Sequence, residues 1–265
     1  MNLWAIAIGV FGMGACITVA AKVRIDQLLV DRGLVESRSK AQALIMAGLV
    51  VAGDKRVDKP GTTVPAEIAV ELKGQTHPWV SRGGLKLVEA LDRFALDPTG
   101  KVAVDVGAST GGFTDVLLTR GAAKVFAVDV GHGQLAWKLR NDPRVVVLER
   151  TNARHLTADI IPDPVDYVVC DASFIGLETV LPAALALAAP GAVVVALIKP
   201  QFEVGKGRVG KGGVVREPEL HTEVCDRISG WLAGLPGWRV EGLCESPITG
   251  PEGNKEFLIV GRKDS

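Results

Sequence analysis

Apolar residues recur along this chain with two different periods, and the change of period divides it into three stretches. Residues 3–21 are continuously apolar and carry no charge. From 22 to 73 the apolar positions come in short groups. Leu28, Leu29 and Val30 lie on a helical pattern that ends at Gly33. A second helix over 38–47 starts behind a capping Ser37, keeps Ala41, Leu44 and Ile45 at core spacing and stops at Gly48. Leu49-Val50-Val51, the turn Gly53-Asp54 and Val57 predict a hairpin; Lys59-Pro60-Gly61 predicts another turn, and 68–72 closes a small sheet. Residues 74–80, with Gly74 and Pro78, form a linker.

From 81 to 265 the pattern changes. A helix from Ser81 onward carries Leu85, Leu87, Val88, Leu91 and Phe94 inward. Apolar runs at 102–106, 125–130, 145–148, 167–170 and 193–198 then alternate with helical segments, the last of them spanning 218–232. Runs that are apolar on both faces and separated by helices predict a mostly parallel sheet covered on each side, a doubly wound α/β domain. Two more strands, at 239–243 and 257–260, are expected to finish it as an antiparallel hairpin.

Composition adds bounds. At 265 residues, zero formal net charge and 48% hydrophobic content, the chain suits one large or two modest globular domains and advertises no polyanion partner by charge alone. Cys16, Cys170, Cys225 and Cys244 show no C-x-x-C spacing and the four histidines are scattered. They predict small apolar core residues in a reducing compartment, with no metal site and no disulfide framework. The 3–21 stretch is long enough to span a bilayer but lacks a basic leader. Three readings of it stand: a membrane anchor or signal, an extension from a wrongly chosen start codon, or a loosely docked helix. The second is favoured because a complete soluble module follows.

The chemistry concentrates in Asp105-Val106-Gly107-Ala108-Ser109-Thr110-Gly111-Gly112-Phe113-Thr114-Asp115. A buried strand runs into a small-residue turn and then a helix N-terminus, the usual place for a nucleotide-like cofactor. A dinucleotide loop wants G-x-G-x-x-G, but Ser109 occupies its third position. Asp129 lies 22 residues beyond Gly107, where an acid binds a ribose in dinucleotide and S-adenosylmethionine (SAM) enzymes alike, so it does not separate the two. The pattern D-x-G-A-x-x-G-G does, because it resembles the SAM loop of FtsJ-like RNA methyltransferases. Four further positions follow suit: Lys86 in S-R-G-G-L-K-L, Asp171 after the fourth strand, Lys199 after the fifth, and Glu256 at the start of the last. Their order and contexts resemble the active-site quartet of FtsJ-like 2′-O-methyltransferases. Methyl transfer to a ribose hydroxyl needs that weak nucleophile aimed and relieved of its proton. Lys199 is the expected base or orienting group, positioned by Asp171 and Lys86, with Glu256 completing the network.

The string R-x-D-x-x-L-x-x-x-G-L-x-x-S-R-x-x-A-x-x-x-I-x-x-G-x-V, with the hairpin and K-P-G after it, resembles the RNA-binding S4 domain. Arg24, Arg38, Lys40, Lys55, Arg56 and Lys59 are then expected phosphate contacts. Arg82, and Lys206, Arg208 and Lys211 in a glycine-rich loop suited to a lid, are expected to join them. Trp137 and Phe174 are candidates for stacking on a base or for the core.

Taken together, these motifs, with A-V-D-V-G-H-G-Q-L, E-R-T-N-A-R and K-P-Q-F-E, resemble the TlyA family from about Val23 to Lys263. The resemblance implies a SAM-dependent 2′-O-methyltransferase acting on cytidine in ribosomal RNA, of a kind also called hemolysin. It implies that Asp105, Gly107, Ala108, Ser109, Gly111 and Phe113 hold the donor's methionine end, Asp129 its ribose, and Asn152 with Ala153 its adenine. Ribosomal subunits are the expected partner, with a monomeric, cytoplasmic enzyme, no metal and no stable membrane partner. Two alternatives are a membrane-associated hemolysin-like protein, resting only on 3–21, and a catalytically inactive RNA-binding ribosome-assembly factor.

Overall fold

The computed structural model describes residues 22–35, 37–73, 77–205, 207–250 and 252–265. The apolar stretch 3–21, residues 74–76 of the linker, and Lys206 lie outside them.

The N-terminal unit comprises β1 (Lys22–Arg24), α1 (Ile25–Asp31), α2 (Arg38–Met46), β2 (Val50–Ala52), β3 (Lys55–Val57), β4 (Thr63–Pro65) and β5 (Val70–Leu72). Ser37 caps α2 as expected, its hydroxyl accepting the Lys40 N–H at 3.2 Å, and Gly48 follows the helix in the left-handed region. The hairpin pairs Val50 with Val57 and Ala52 with Lys55, and β5 adds to the other edge of β2. The β1–β4 ladder was not foreseen, since Lys22-Val23-Arg24 offers a single apolar side chain. Ile25, Leu29, Ala41, Ile45 and Val50 form a small core of their own.

The larger unit is built from α3 (Gly84–Arg93), β6 (Val102–Val106), α4 (Gly112–Thr119), β7 (Lys124–Val128), α5 (Trp137–Arg140), β8 (Val145–Leu148), β9 (Val165–Cys170), α6 (Leu177–Val180), α7 (Pro182–Ala186), β10 (Ala188–Ile198), α8 (Pro200–Glu203), α9 (Pro218–Gly234), β11 (Trp238–Glu245) and β12 (Phe257–Lys263). Seven strands form one sheet in the order β11-β12-β10-β9-β6-β7-β8. All neighbours are parallel except β12, which runs antiparallel to β10 and β11. Period-two alternation sorts each strand between two cores. Val104, Val106, Val168, Val194 and Ala196 pack with α7 and α9 on one face. Ala103, Val169, Val195 and Leu197 pack with α3 and α4 on the other.

Several boundaries differ from expectation, and three of them bear on the sheet or the site. The second strand ends at Val128, and Val130 is exposed beyond it. β10 begins at Ala188, five residues early, across a register shift between Ala188 and Val193. Pro190, which has no N–H, and Gly191, at φ +77°, interrupt the pairing there. The helix expected from Ser81 starts only at Gly84, because residues 81–83 form a turn over the cavity described next.

Candidate active site

The chain runs β6, β7, β8 to one side of the sheet and then returns to β9 on the other side of β6. The crevice above the carboxyl ends of β6 and β9 is therefore the topological switch point. A cavity of about 570 Å³ opens there. It is lined by the turn Asp105–Phe113, by Arg82 and Lys86 from the α3 region, by Asp171, Ser173 and Phe174 after β9, by Lys199 after β10, and by Glu256.

Gly107 shows why the first glycine stands where it does. It has φ +79°, and a Cβ on it would come within 2.9 Å of the Ala172 Cα, so the turn lies directly against the chain leaving β9. Gly112 serves packing instead: a Cβ there would meet the Ser81 hydroxyl at 2.4 Å, which lets the N-termini of α3 and α4 approach. Above this turn, Asp129 accepts the Ser109 N–H at 2.8 Å and the Gly131 N–H at 2.6 Å. A smaller recess beside it is bounded by Ala108, Ser109, Asp129, Gln134, Leu135 and Glu149.

Asp105 is buried beneath the turn. Its Oδ2 accepts the Thr114 N–H at 3.0 Å and the Thr114 hydroxyl at 2.7 Å, while its buried Oδ1 has no hydrogen-bond partner among the described residues. Burial pushes its carboxyl up to about 7. The Asp171 and Asp129 charges add to the rise, and the Thr114 hydrogen bonds only partly oppose it.

The expected quartet converges from four separate elements. Lys86 Nζ lies 2.7 Å from Glu256 Oε2 and 3.4 Å from Asp171 Oδ2. Lys199 Nζ lies 2.7 Å from Asp171 Oδ1, donates to the Asp171 carbonyl at 3.1 Å and to the Ser173 hydroxyl at 2.9 Å. The side chains of both lysines and of Glu256 are buried; Asp171 is partly open to the cavity. The result is a chain of alternating charge, Lys199–Asp171–Lys86–Glu256, with Lys199 at one end. Each buried charge has an opposite neighbour, the condition under which such groups are tolerated.

The remaining predicted residues are placed as follows. Ser109, Phe113 and Ala108 line the cavity, and Gly111 stands at the N-terminus of α4. Asn152 caps a short 3₁₀ turn, accepting the Arg154 N–H at 3.1 Å, and Ala153 packs into the core; neither borders the cavity or the recess. Phe174 is 89% exposed, with φ +65°, and its ring lies 4.9 Å from that of Phe202. Trp137 is also exposed. Arg24 and Arg38 meet on the carboxylate of Asp26, while Lys40, Lys55, Arg56 and Lys59 are exposed on the same unit. Arg208 forms a two-pronged pair with Glu223 on α9 at 2.5 and 2.6 Å, and Lys211 is exposed. Sequence reasoning did not single out Thr114, Ser173, Gln134 or Asn254. Asn254 is buried next to Glu256 and clamps the glycine-rich loop, accepting the Val215 N–H at 3.0 Å and donating to the Gly213 carbonyl at 2.9 Å.

A doubly wound sheet with an antiparallel strand inserted near one end, a glycine turn at the switch point and a Lys-Asp-Lys-Glu network beside it define a methyltransferase. Residues 79–263 match the FtsJ-like methyltransferase family, to which the chain belongs, and residues 23–67 match the S4 domain. Within that family it falls with the TlyA proteins. It is 52% identical to the 16S/23S rRNA (cytidine-2′-O)-methyltransferase TlyA of Mycobacterium tuberculosis, over 91% of this chain and 90% of that one. It is 38% identical to Hemolysin A of Brachyspira hyodysenteriae, over 89% and 98%. Among solved structures, a hemolysin-named protein from Streptococcus thermophilus superposes with a TM-score of 0.71 at 44% identity, covering 92% of this chain and 89% of its own. Among the described residues, no helix is long and apolar enough to cross a membrane.

Proposed function

We propose that this protein transfers a methyl group from S-adenosylmethionine to the ribose 2′-hydroxyl of a cytidine in ribosomal RNA. The observation that carries this reading is the Lys199–Asp171–Lys86–Glu256 chain of charges at the edge of a cavity floored by a cofactor-type glycine turn.

The residues present fit the donor. The buried Oδ1 of Asp105 lacks a partner among the described residues, and Asp105 lines the cavity, so a cationic or N–H-bearing ligand group that reached it would satisfy it. Gly107, Ala108, Ser109, Gly111 and Phe113 would hold the donor's amino-acid end. Asp129 would accept from its ribose hydroxyls; the recess beside Asp129 and Leu135 has a volume of about 10 Å³ and would have to open before it could take the base. Bound SAM supplies an electrophilic methyl on a sulfonium. Lys199 then orients the 2′-hydroxyl oxygen toward that methyl, and the proton released passes into the Lys199–Asp171 pair. Lys86 keeps Asp171 fixed, and Glu256 balances Lys86. The Ser173 hydroxyl, which accepts from the Lys199 ammonium, would help to hold it in place. The exposed Phe174 ring offers a face on which the target base can stack once it leaves its helix.

Arg24, Arg38, Lys40, Lys55, Arg56 and Lys59 would grip the RNA backbone, joined by Arg82 at the cavity and by Lys206, Arg208 and Lys211 of the glycine-rich loop, of which Lys206 lies outside the described residues. Arg208 must first leave Glu223. The enzyme acts on ribosomal subunits as a cytoplasmic monomer in this reading. Transfer of tritiated methyl from SAM to purified ribosomal subunits tests it. The wild type labels 2′-O-methylcytidine, and Lys199→Ala loses on the order of 10³-fold in rate while retaining SAM affinity. An inactive wild type, or an unimpaired Lys199→Ala, overturns the reading.

A further inference from the structure

The N-terminal unit buries one carboxylate that methyl transfer does not use. Asp26, in the first turn of α1, is fully buried, yet its two oxygens accept five hydrogen bonds. Oδ1 takes Arg24 Nε at 3.0 Å and the Gln27 N–H at 3.0 Å; Oδ2 takes Arg24 Nη2 at 2.9 Å, Arg38 Nε at 3.0 Å and Gln42 Nε2 at 3.2 Å. Two arginines from different elements thus meet on a single acid.

Burying a carboxylate requires a counter-charge, and one arginine would supply it. The second leaves the cluster with a net positive charge. Both arginine side chains stay about half exposed, at 48% and 50%. Their use of Asp26 is also incomplete. Arg24 presents its Nε/Nη2 edge, and Arg38 only Nε. Nη1 of Arg24 and both terminal nitrogens of Arg38 therefore have no protein partner among the described residues. The Lys59-Pro60-Gly61 turn borders the same spot, since the Ile25 N–H donates to the Thr62 carbonyl at 2.8 Å and Gly61 lies beside the Arg24 guanidinium. Two free arginines in solution lose rotamer freedom when they close on a phosphate; here a buried acid has already removed that freedom.

We propose that Asp26 is a positioning residue for RNA capture, fastening Arg24 and Arg38 into one fork that holds a single backbone phosphate. This rests on the RNA-binding reading above. The competing possibility, that Asp26 only offsets charge, predicts an effect of opposite sign. Asp26→Asn adds a positive charge to the surface and should tighten RNA binding if charge alone matters; a positioning role requires it to weaken.

Retention of purified ribosomal subunits by the full-length protein, measured across a salt series, provides the test. Arg24→Ala and Arg38→Ala are each expected to weaken binding about tenfold. Each should lower the slope of log K against log salt by about 0.9, with little further change in the double variant because one phosphate is shared. Asp26→Asn is expected to raise the KM for subunits at least several-fold with kcat and SAM affinity unchanged. The N-terminal unit should melt at a lower temperature, because the ionised carboxylate accepts five hydrogen bonds there, while staying folded at the assay temperature. Equal or tighter binding by a folded Asp26→Asn overturns the proposal, as does a double variant whose slope falls by twice the single value. Should Asp26→Asn fail to fold, the arginine cycle decides alone. Absence of binding by the wild type would sink the RNA reading itself, whereas wild-type binding with independent arginines sinks only this inference.

Discussion

Between about pH 4 and 7 the Asp105 carboxyl keeps its proton in the fold while the unfolded chain has lost it, because burial raises its folded value to about 7. Stability from this group therefore declines as pH rises through that window and is level above it. A cationic ligand group over Oδ1 favours the ionised form, so donor binding expels a proton. We expect SAM to bind about tenfold more tightly at pH 8 than at pH 6, with proton release visible by calorimetry in buffers of different ionisation enthalpy. Asp105→Asn should bind weakly and without pH dependence; a pH-independent wild type would refute the assignment. Lys86 has a different kind of importance, since it separates Asp171 from Glu256. Lys86→Met leaves Glu256 buried without a counter-charge and should cost about 3–5 kcal/mol in urea unfolding, together with activity. At this scale the sequence announced residues whose chemistry is unusual for their context, such as a lysine straight after an apolar strand. It did not announce Ser173 or Asn254. Their bonds join positions 26 and 39 or more residues apart, and neither residue type is rare in a loop.

Elements were readable where burial imposes a period. The runs at 102–106 and 145–148 coincide with β6 and β8, because strands covered on both faces need continuous apolar residues. α9 was equally plain, with His221, Val224, Cys225, Ile228 and Leu232 on its buried side. Boundaries slipped at the Pro190-Gly191 interruption in β10, a local break beyond which Ala188 still pairs with Val165, and at the turn before α3, where packing over the cavity overrules local preference. The turn after β6 gives the prediction that belongs to this scale. Gly107→Ala must adopt φ +79° with a methyl 2.9 Å from the Ala172 backbone, and no flexible side chain is there to yield. We expect a loss of about 1–3 kcal/mol in stability and a shift of the chain leaving β9. That chain carries Asp171 and Ser173, so both SAM affinity and kcat should fall. A variant that melts normally and binds SAM normally would show that the turn has more room than its geometry allows.

On the scale of the whole molecule, the buried apolar residues fall into three clusters, a small one in the N-terminal unit and one on each face of the large sheet. The N-terminal cluster holds ten buried apolar residues, whereas the seven-stranded sheet buries a continuous layer on each face. A unit of this small size sits near the limit at which one core can hold a chain folded. It should therefore unfold before the larger one. The chain's own chromophores can resolve the two events once Trp4, outside the described residues, is removed by Trp4→Phe: the other four tryptophans, Trp79, Trp137, Trp231 and Trp238, lie in the larger unit, and none of residues 22–73 is a tryptophan. Far-UV circular dichroism follows both units, so its urea transition should begin at lower concentration than that of tryptophan fluorescence. SAM at one hundred times its Kd should then stabilise the fluorescence transition by about 2.7 kcal/mol and leave the early dichroism step where it was. Coincident transitions that move together with SAM would instead mean that the donor site and the RNA-gripping unit fold as one. Either ligand would then protect both units against unfolding, by the same mass action.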